Sequence, residues 1–255
     1  MKLICNKICG LASALVHVNW FKTIYINFRM LPLKDAMKLP IIIWGRCRLA
    51  LRGGRIVFEV PIRRGILKIG YRYEDFYFKE PSQVKIHGTF ILRGEVWFGS
   101  SIQLLVDSGG NLTMGQLSSM GSYASLICTK SVSFSDYSRV GSFSSISDSN
   151  YHYMKNVNDN SILPFSKAVW IGARNYIGSR VTFLPGTITP DNITIGYGSV
   201  CNKDYRNIIP ENSMIAGVPA KLVKENIVRI FDFEKEKRIT TFFAESGNDI
   251  YYDDI

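Results

Sequence analysis

The chain's three histidines lie far apart at His17, His87 and His152, without the helical spacing that would let any two share a metal ion. Only His152 stands among partners suited to acid–base work. In the segment Asp148-Ser149-Asn150-Tyr151-His152 an imidazole is preceded by a carboxylate and an amide. An imidazole takes up and returns a proton near neutral pH, and a second polar group can fix its tautomer and steady the cation that forms. A histidine in so polar a stretch is, taken alone, an ordinary surface-loop residue. Asp148 and Asn150 could equally make local side-chain turns.

Cys5, Cys9, Cys47, Cys128 and Cys201 are odd in number, scattered and without a CxxC pair, which fits a reducing, cytoplasmic compartment and no disulfide framework. No metal is expected. The formal charge of +10, from 31 Lys and Arg against 21 Asp and Glu, favours anionic partners. Nucleic acid is not expected among them, because zinc-finger spacing, RNP-type aromatics and long basic runs are missing. Phosphorylated cofactors and anionic membrane surfaces fit the charge. The composition, 46% hydrophobic and 20% charged, is that of a folded globular chain.

The elements that would hold His152 emerge from a six-residue repeat. Apolar residues recur at Ile86, Leu92, Phe98 and Leu104, then at Met114, Met120 and Leu126, then at Phe134, Val140 and Ile146. After a long interruption the ladder resumes at Ile171, Ile177, Phe183, Thr189, Ile195 and Cys201. Glycine often follows the rung, as at Gly99, Gly141, Gly178 and Gly196, and small residues recur four positions after it, as at Ser118, Ser144 and Ser199. Six residues fit a short strand plus a tight turn, and three such units make one triangular coil. The rung points inward, the glycine relieves crowding where a positive φ is needed, and the small residues let faces approach. Cys201, on an inward rung, reads as core and not as a nucleophile.

Such coils depend on their neighbours and need closed ends. Residues 1–83 read as an N-terminal helical and strand cap, 84–224 as the β-helix with a loop at 147–169, and 225–255 as a short helix followed by an acidic tail. The apolar stretch from Cys9 to Trp20 is neither a convincing signal peptide nor a comfortable bilayer span, being interrupted by His17, Asn19 and Lys22. It reads as an amphipathic helix. Packing on the protein is preferred over contact with the inner face of a membrane.

The segment VWIGARNYIGSRVTFLPGTITPDNITIGYGSVCNKD, followed by ENSMIAGVPAKLVK, resembles the hexapeptide-repeat acyltransferases. The matching residues include Leu184-Pro185-Gly186, Gly196, Gly198, Ser199, Lys203, Asp204 and the Ala216-Gly217…Pro219-Ala220-Lys221 close. Pro190 and Tyr197 depart from the pattern, which usually has glycine and alanine there. The N-terminal part is similar to the polysaccharide O-acetyltransferase branch.

The resemblance implies an all-β fold, a left-handed parallel β-helix, whose hand runs against the right-handed crossover rule and comes from the family alone. It also implies a homotrimer with sites between subunits, an acetyl-CoA donor and a saccharide acceptor. His152 would then be the general base for a sugar hydroxyl, with Asp148 or Asn150 orienting it. A turn N–H at Gly178 or Ser179 would meet the oxyanion. Gly196, Gly198 and Ser199 would face the pantetheine, and Lys203 and Lys221 the phosphates. The expected reaction is direct O-acyl transfer without an acyl-enzyme. N-acylation of a nucleotide-linked amino sugar and a non-catalytic binding prism remain the alternatives.

Overall fold

A computed structural model describes residues 17–71 and 79–253. Short strands pair in parallel into three sheets, and successive strands visit the three in turn, so the chain winds as a triangular coil. The first face runs from Ile41–Ile43 through Val96–Phe98 and Arg139–Val140 to Met214–Ala216. The second runs from Cys47–Ala50 to Val200–Cys201, and the third from Arg55–Phe58 to Val169–Ile171. Single parallel bridges at Ile188 and Asp204 extend the third face.

The rungs stack in columns. Phe98, Met120, Val140, Ile177, Ile195 and Ile215 are paired in order on the first face, and all are buried. A fully buried rung of this size contributes about 2 kcal/mol from removal of apolar surface. The ladder read from sequence is in register from Leu92 onward, but its start is offset: Leu104 lies beside Val84, whereas Ile86 lies beside Val106. The coil also begins well before residue 84. Ile41–Ile43 pairs with Leu67–Ile69, Cys47–Ala50 with Ser82–Ile86, and Arg55–Phe58 with Thr89–Leu92.

Crowding, not positive φ, explains the glycines that follow rungs at Gly99, Gly141 and Gly178. A Cβ on Gly141 would lie 2.6 Å from the Gly178 carbonyl carbon and from the Ser179 nitrogen. Positive φ falls instead three residues after the rung, largely on ordinary side chains: Tyr123, Tyr137, Phe143, Arg174 and Arg180. The small residue four after the rung is a turn staple. Ser144 donates to the Gly178 carbonyl at 3.2 Å and Ser118 to that of Gly115 at 2.8 Å.

Thr189, the polar rung, accepts the Gly172 N–H at 3.0 Å and the Asn175 amide at 2.8 Å, so no buried donor is stranded there. Pro190 fits this turn because the turn asks it for a carbonyl, which Asn175 binds at 3.0 Å.

Helix α1, Trp20–Met30, lies along the free edge of Ile41–Ile43. Its contacts with that edge are polar. Thr23 Oγ1 accepts the Ile43 N–H at 3.0 Å, and the Asn27 amide accepts the Ile41 N–H at 3.1 Å and donates to the Ile41 carbonyl at 2.7 Å. Helix α2, Leu33–Ala36, follows. The part of the expected amphipathic helix before His17 lies outside the described residues.

At the other end Met214–Ala216 pairs antiparallel with Lys221–Lys224. The expected helix from Glu225 starts later. Residues 227, 229 and 231 are half-buried while 228 and 230 are exposed, the alternation of an extended chain. Helix α3, Phe233–Ser246, begins at Asp232, whose side chain accepts the Lys235 N–H at 3.0 Å, and ends at Gly247.

Candidate active site

The interruption in the ladder is a zipped loop leaving the corner between the second and third faces. Lys167 donates its N–H to the Asp148 carbonyl at 2.8 Å and Asn150 to the Phe165 carbonyl at 2.9 Å. Further out, Met154–Lys155 pairs antiparallel with Ile162–Leu163. Tyr151 turns the chain outward with φ +58, and its hydroxyl is pushed above the ordinary value by burial and by the carboxylates of Asp107 and Asp148. Tyr153 packs edge-on against Phe165 at 5.1 Å, steadying the strand just beyond His152. His152 is thereby held outward, solvent-exposed, with no hydrogen bond or ion pair to any described residue.

Asp148 is not brought to it. The Asp148 side chain is 0% exposed and its oxygens accept the N–H groups of Thr129, Lys130 and Ser131 at 2.7–2.8 Å and the Thr129 hydroxyl at 3.0 Å. It ties the loop's root to the turn of the preceding coil. A carboxylate so fully engaged is a structural anchor, and the expectation that it orients His152 is corrected accordingly. The Asn150 side chain is exposed beside the loop root, with its backbone committed to the zip.

The cofactor candidates divide between two corners. Lys203 lies above the loop's corner, its ammonium 5.5 Å from the Tyr205 ring. Gly178, Ser179, Gly196, Gly198 and Ser199 form the corner between the first and second faces, with Lys221 exposed just above it on the return strand. One face, carrying Thr182–Phe183 and Val200–Cys201, separates the two sets in a single chain.

One role changes on this geometry. The Gly178 N–H already donates to the Ile195 carbonyl at 2.8 Å, so it is not an available oxyanion donor. Ser199 is buried, giving its hydroxyl to the Gly196 carbonyl at 2.7 Å and accepting the Gly217 N–H at 3.1 Å; it faces the turn interior. Gly198, by contrast, has open space where a Cβ would stand, and Tyr197 beside it is 69% exposed. Cys201 is core, its thiol pushed up to about 12 by burial. No metal-holding group of three His, Cys, Asp or Glu gathers among the described residues.

The sequence did not single out a cleft of about 680 Å³ on the third face, lined by Ser133, Ser135, Tyr137, Trp170 and Arg174 among others. Trp170 gives its indole N–H to Ser135 at 3.0 Å, and the Arg206 guanidinium lies 5.5 Å from its ring. The available signal was a tryptophan immediately before the rung Ile171, on an outward-facing position.

No family model matches the chain. A stretch of 60 residues is 50% identical to the protein named "Putative lipopolysaccharide biosynthesis O-acetyl transferase WbbJ" of Escherichia coli (strain K12), covering 24% of this chain and 29% of that one. Another of 118 residues is 30% identical to a dTDP-4-amino-4,6-dideoxy-D-glucose acyltransferase of Escherichia coli, covering 44% and 59%. The chain thus spans less than two thirds of the length of either relative. Among solved structures, that of the polySia specific acetyltransferase NeuO is similar with a TM-score of 0.50 and 18% identity, over 78% of this chain and 98% of that one, a likeness of fold. The six-residue ladder, the three-faced coil it builds and these partial likenesses point one way: the chain is similar to O-acetyltransferases and acyltransferases, and its fold is like that of the solved acetyltransferase.

Proposed function

We propose that this protein transfers an acyl group, acetyl first among the candidates, from coenzyme A to a hydroxyl of a surface polysaccharide or its precursor. The observation that carries the reading is the exposed His152 on a zipped loop that the prism extrudes from one corner. His152 takes the proton of the acceptor hydroxyl as that oxygen attacks the thioester carbonyl. The tetrahedral oxyanion is met by a turn N–H, for which Ser179 remains after Gly178 is set aside. The C–S bond breaks, and the imidazolium returns its proton to the departing thiolate.

The donor chain fits the other corner. Gly198 leaves room for a thin pantetheine arm, and Lys221 stands above for the phosphates, with Lys203 across the face. Since base and donor groove occupy different corners, one copy's loop facing the next copy's groove completes each site. A closed ring of three does this with a single repeated contact. Reading the chain as part of the polysaccharide O-acetyltransferase branch is supported by the name of its 50%-identical relative.

Replacing His152 by Ala or Gln should lower acetyl transfer from acetyl-CoA, followed as free thiol, by about 10²–10⁴-fold. CoA binding by calorimetry and the size of the assembly should be retained. Undiminished transfer would refute the role. A second reading, N-acylation of a nucleotide-linked amino sugar, draws on the name of the 30%-identical relative. A panel pairing UDP- and dTDP-amino sugars with neutral glycans separates the two by which acceptor is consumed.

A further inference from the structure

Helix α1 is amphipathic the wrong way round for a packing helix. The side it turns to the prism is carried by Thr23, Ile26 and Asn27, two of them polar and bonded to the edge strand. Phe21, Ile24, Tyr25 and Phe28, spaced as one helical stripe, are exposed, Phe21 by 75%. Leu33 and Met37 extend the patch just beyond, Met37 being 68% exposed.

The charge of the chain is concentrated at this same end. Residues 17–71 carry eleven Lys and Arg against two Asp and Glu, while residues 72–255 carry eighteen against nineteen. Lys34 and Lys38 are exposed in the same segment as Leu33 and Met37, and Arg46, Arg48 and Arg52 are exposed on the first coil that the helix edges. Lys38 is paired with Asp35 at 3.5 Å, and the cations still outnumber the anions, so the apolar stripe with its basic surroundings is complementary to a surface that is apolar beneath and anionic at its face. It is not complementary to a second copy of itself, which would set like charges against like.

We propose that the α1 end of the prism docks on an anionic phospholipid bilayer, with Phe21, Ile24, Tyr25, Phe28, Leu33 and Met37 entering the interface and Lys34, Lys38, Arg46 and Arg52 meeting the headgroups. Aromatic and aliphatic side chains at this depth lie where acyl chains give way to headgroups, and basic residues add attraction within a Debye length. The prism then stands on its first coil. The loop bearing His152 leaves the fifth strand of the second face, four strand spacings or about 19 Å above the first. An acceptor anchored in the same bilayer is thereby held near that height. The docking itself does not rest on the acyltransferase reading.

Flotation of the full chain with phosphatidylcholine vesicles, with and without phosphatidylglycerol, tests it. Binding is expected only to the anionic vesicles and should weaken as salt is raised. Phe21→Ser with Phe28→Ser, and separately Lys34→Gln with Arg52→Gln, should each lower the bound fraction by about tenfold or more. Transfer to a soluble acceptor should be unchanged by either pair. Binding to neither vesicle, equal binding to both, or variants that float like the parent would overturn the proposal. So would a vesicle-independent change of assembly size in the Phe variant, which assigns the stripe to another copy. A drop in its thermal midpoint without loss of flotation would do the same, assigning the stripe to residues 1–16.

Discussion

The Asp148 carboxylate accepts the Ser131 N–H at 2.7 Å across the boundary between two coils, so the root of the extruded loop is bound to the turn beneath it. The same two oxygens hold Thr129 and Lys130. Asp148→Asn turns an amide NH₂ toward donors that need an acceptor and should cost about 3 kcal/mol in urea unfolding. Turnover per folded molecule should fall by less than about tenfold. A far larger loss of turnover at unchanged stability would return Asp148 to the chemistry.

Two glycines at one corner should answer differently to a methyl group. At Gly141 the added Cβ lies 2.6 Å from backbone atoms of the next coil, which cannot swing aside, and Gly141→Ala should cost about 3 kcal/mol. At Gly198, φ is +71 and nothing lies within 4 Å, so Gly198→Ala should cost only the left-handed backbone term of about 1 kcal/mol. Denaturant midpoints in the reverse order would refute the close-approach explanation.

Burial by itself would raise the Glu95 carboxyl, but the Lys68 ammonium and the Arg63 guanidinium outweigh it and hold the group below its ordinary value of 4.5. The folded chain therefore keeps this carboxylate ionised to a lower pH than the unfolded chain does. Its contribution is complete above 4.5 and is lost as pH falls through the lowered folded value. Glu95→Gln should cost about 1 kcal/mol at neutral pH, because the pair is partly exposed and screened. Melting curves of parent and variant should converge on acidification. A gap that persists to strongly acidic pH would rule out the ion pair as its source.

The ladder was legible because its rungs do one job in every coil: Phe98, Met120, Val140, Ile177 and Ile195 all fill the same column, and burial leaves little choice of residue type. The first coils were hidden because the six-residue count fails there. The chain takes a long excursion between Phe58 and Leu67 before returning to the first face, so alternation within strands survives but the spacing between them does not. That His152 stands on a loop leaving the prism was legible from the break in the ladder. What Asp148 does was not, since its partners Thr129 to Ser131 belong to an earlier coil and are neighbours only through the winding. The partners of the Ser199 hydroxyl, Gly196 and Gly217, were hidden for a similar reason: the sequence marks Ser199 only as a small residue of a turn. The division of the cofactor candidates between two corners follows from which face each turn ends, a fact of the coil and not of the motif.

A stack of identical parallel layers has no internal reason to stop, and each terminal strand is a template on which another chain could grow into a fibril. Asn27 occupies the N–H and C=O of Ile41, Thr23 the N–H of Ile43 and the Asn19 N–H the Ile43 carbonyl, which together consume the first template. At the far end the hairpin through Gly217 and Pro219 reverses the strand direction, and the edge it leaves is short and flanked by Lys221 and Lys224. The first face of the repeat is therefore closed at both ends by local irregularities, and damage to either should appear first as polymerisation, before any loss of the prism itself.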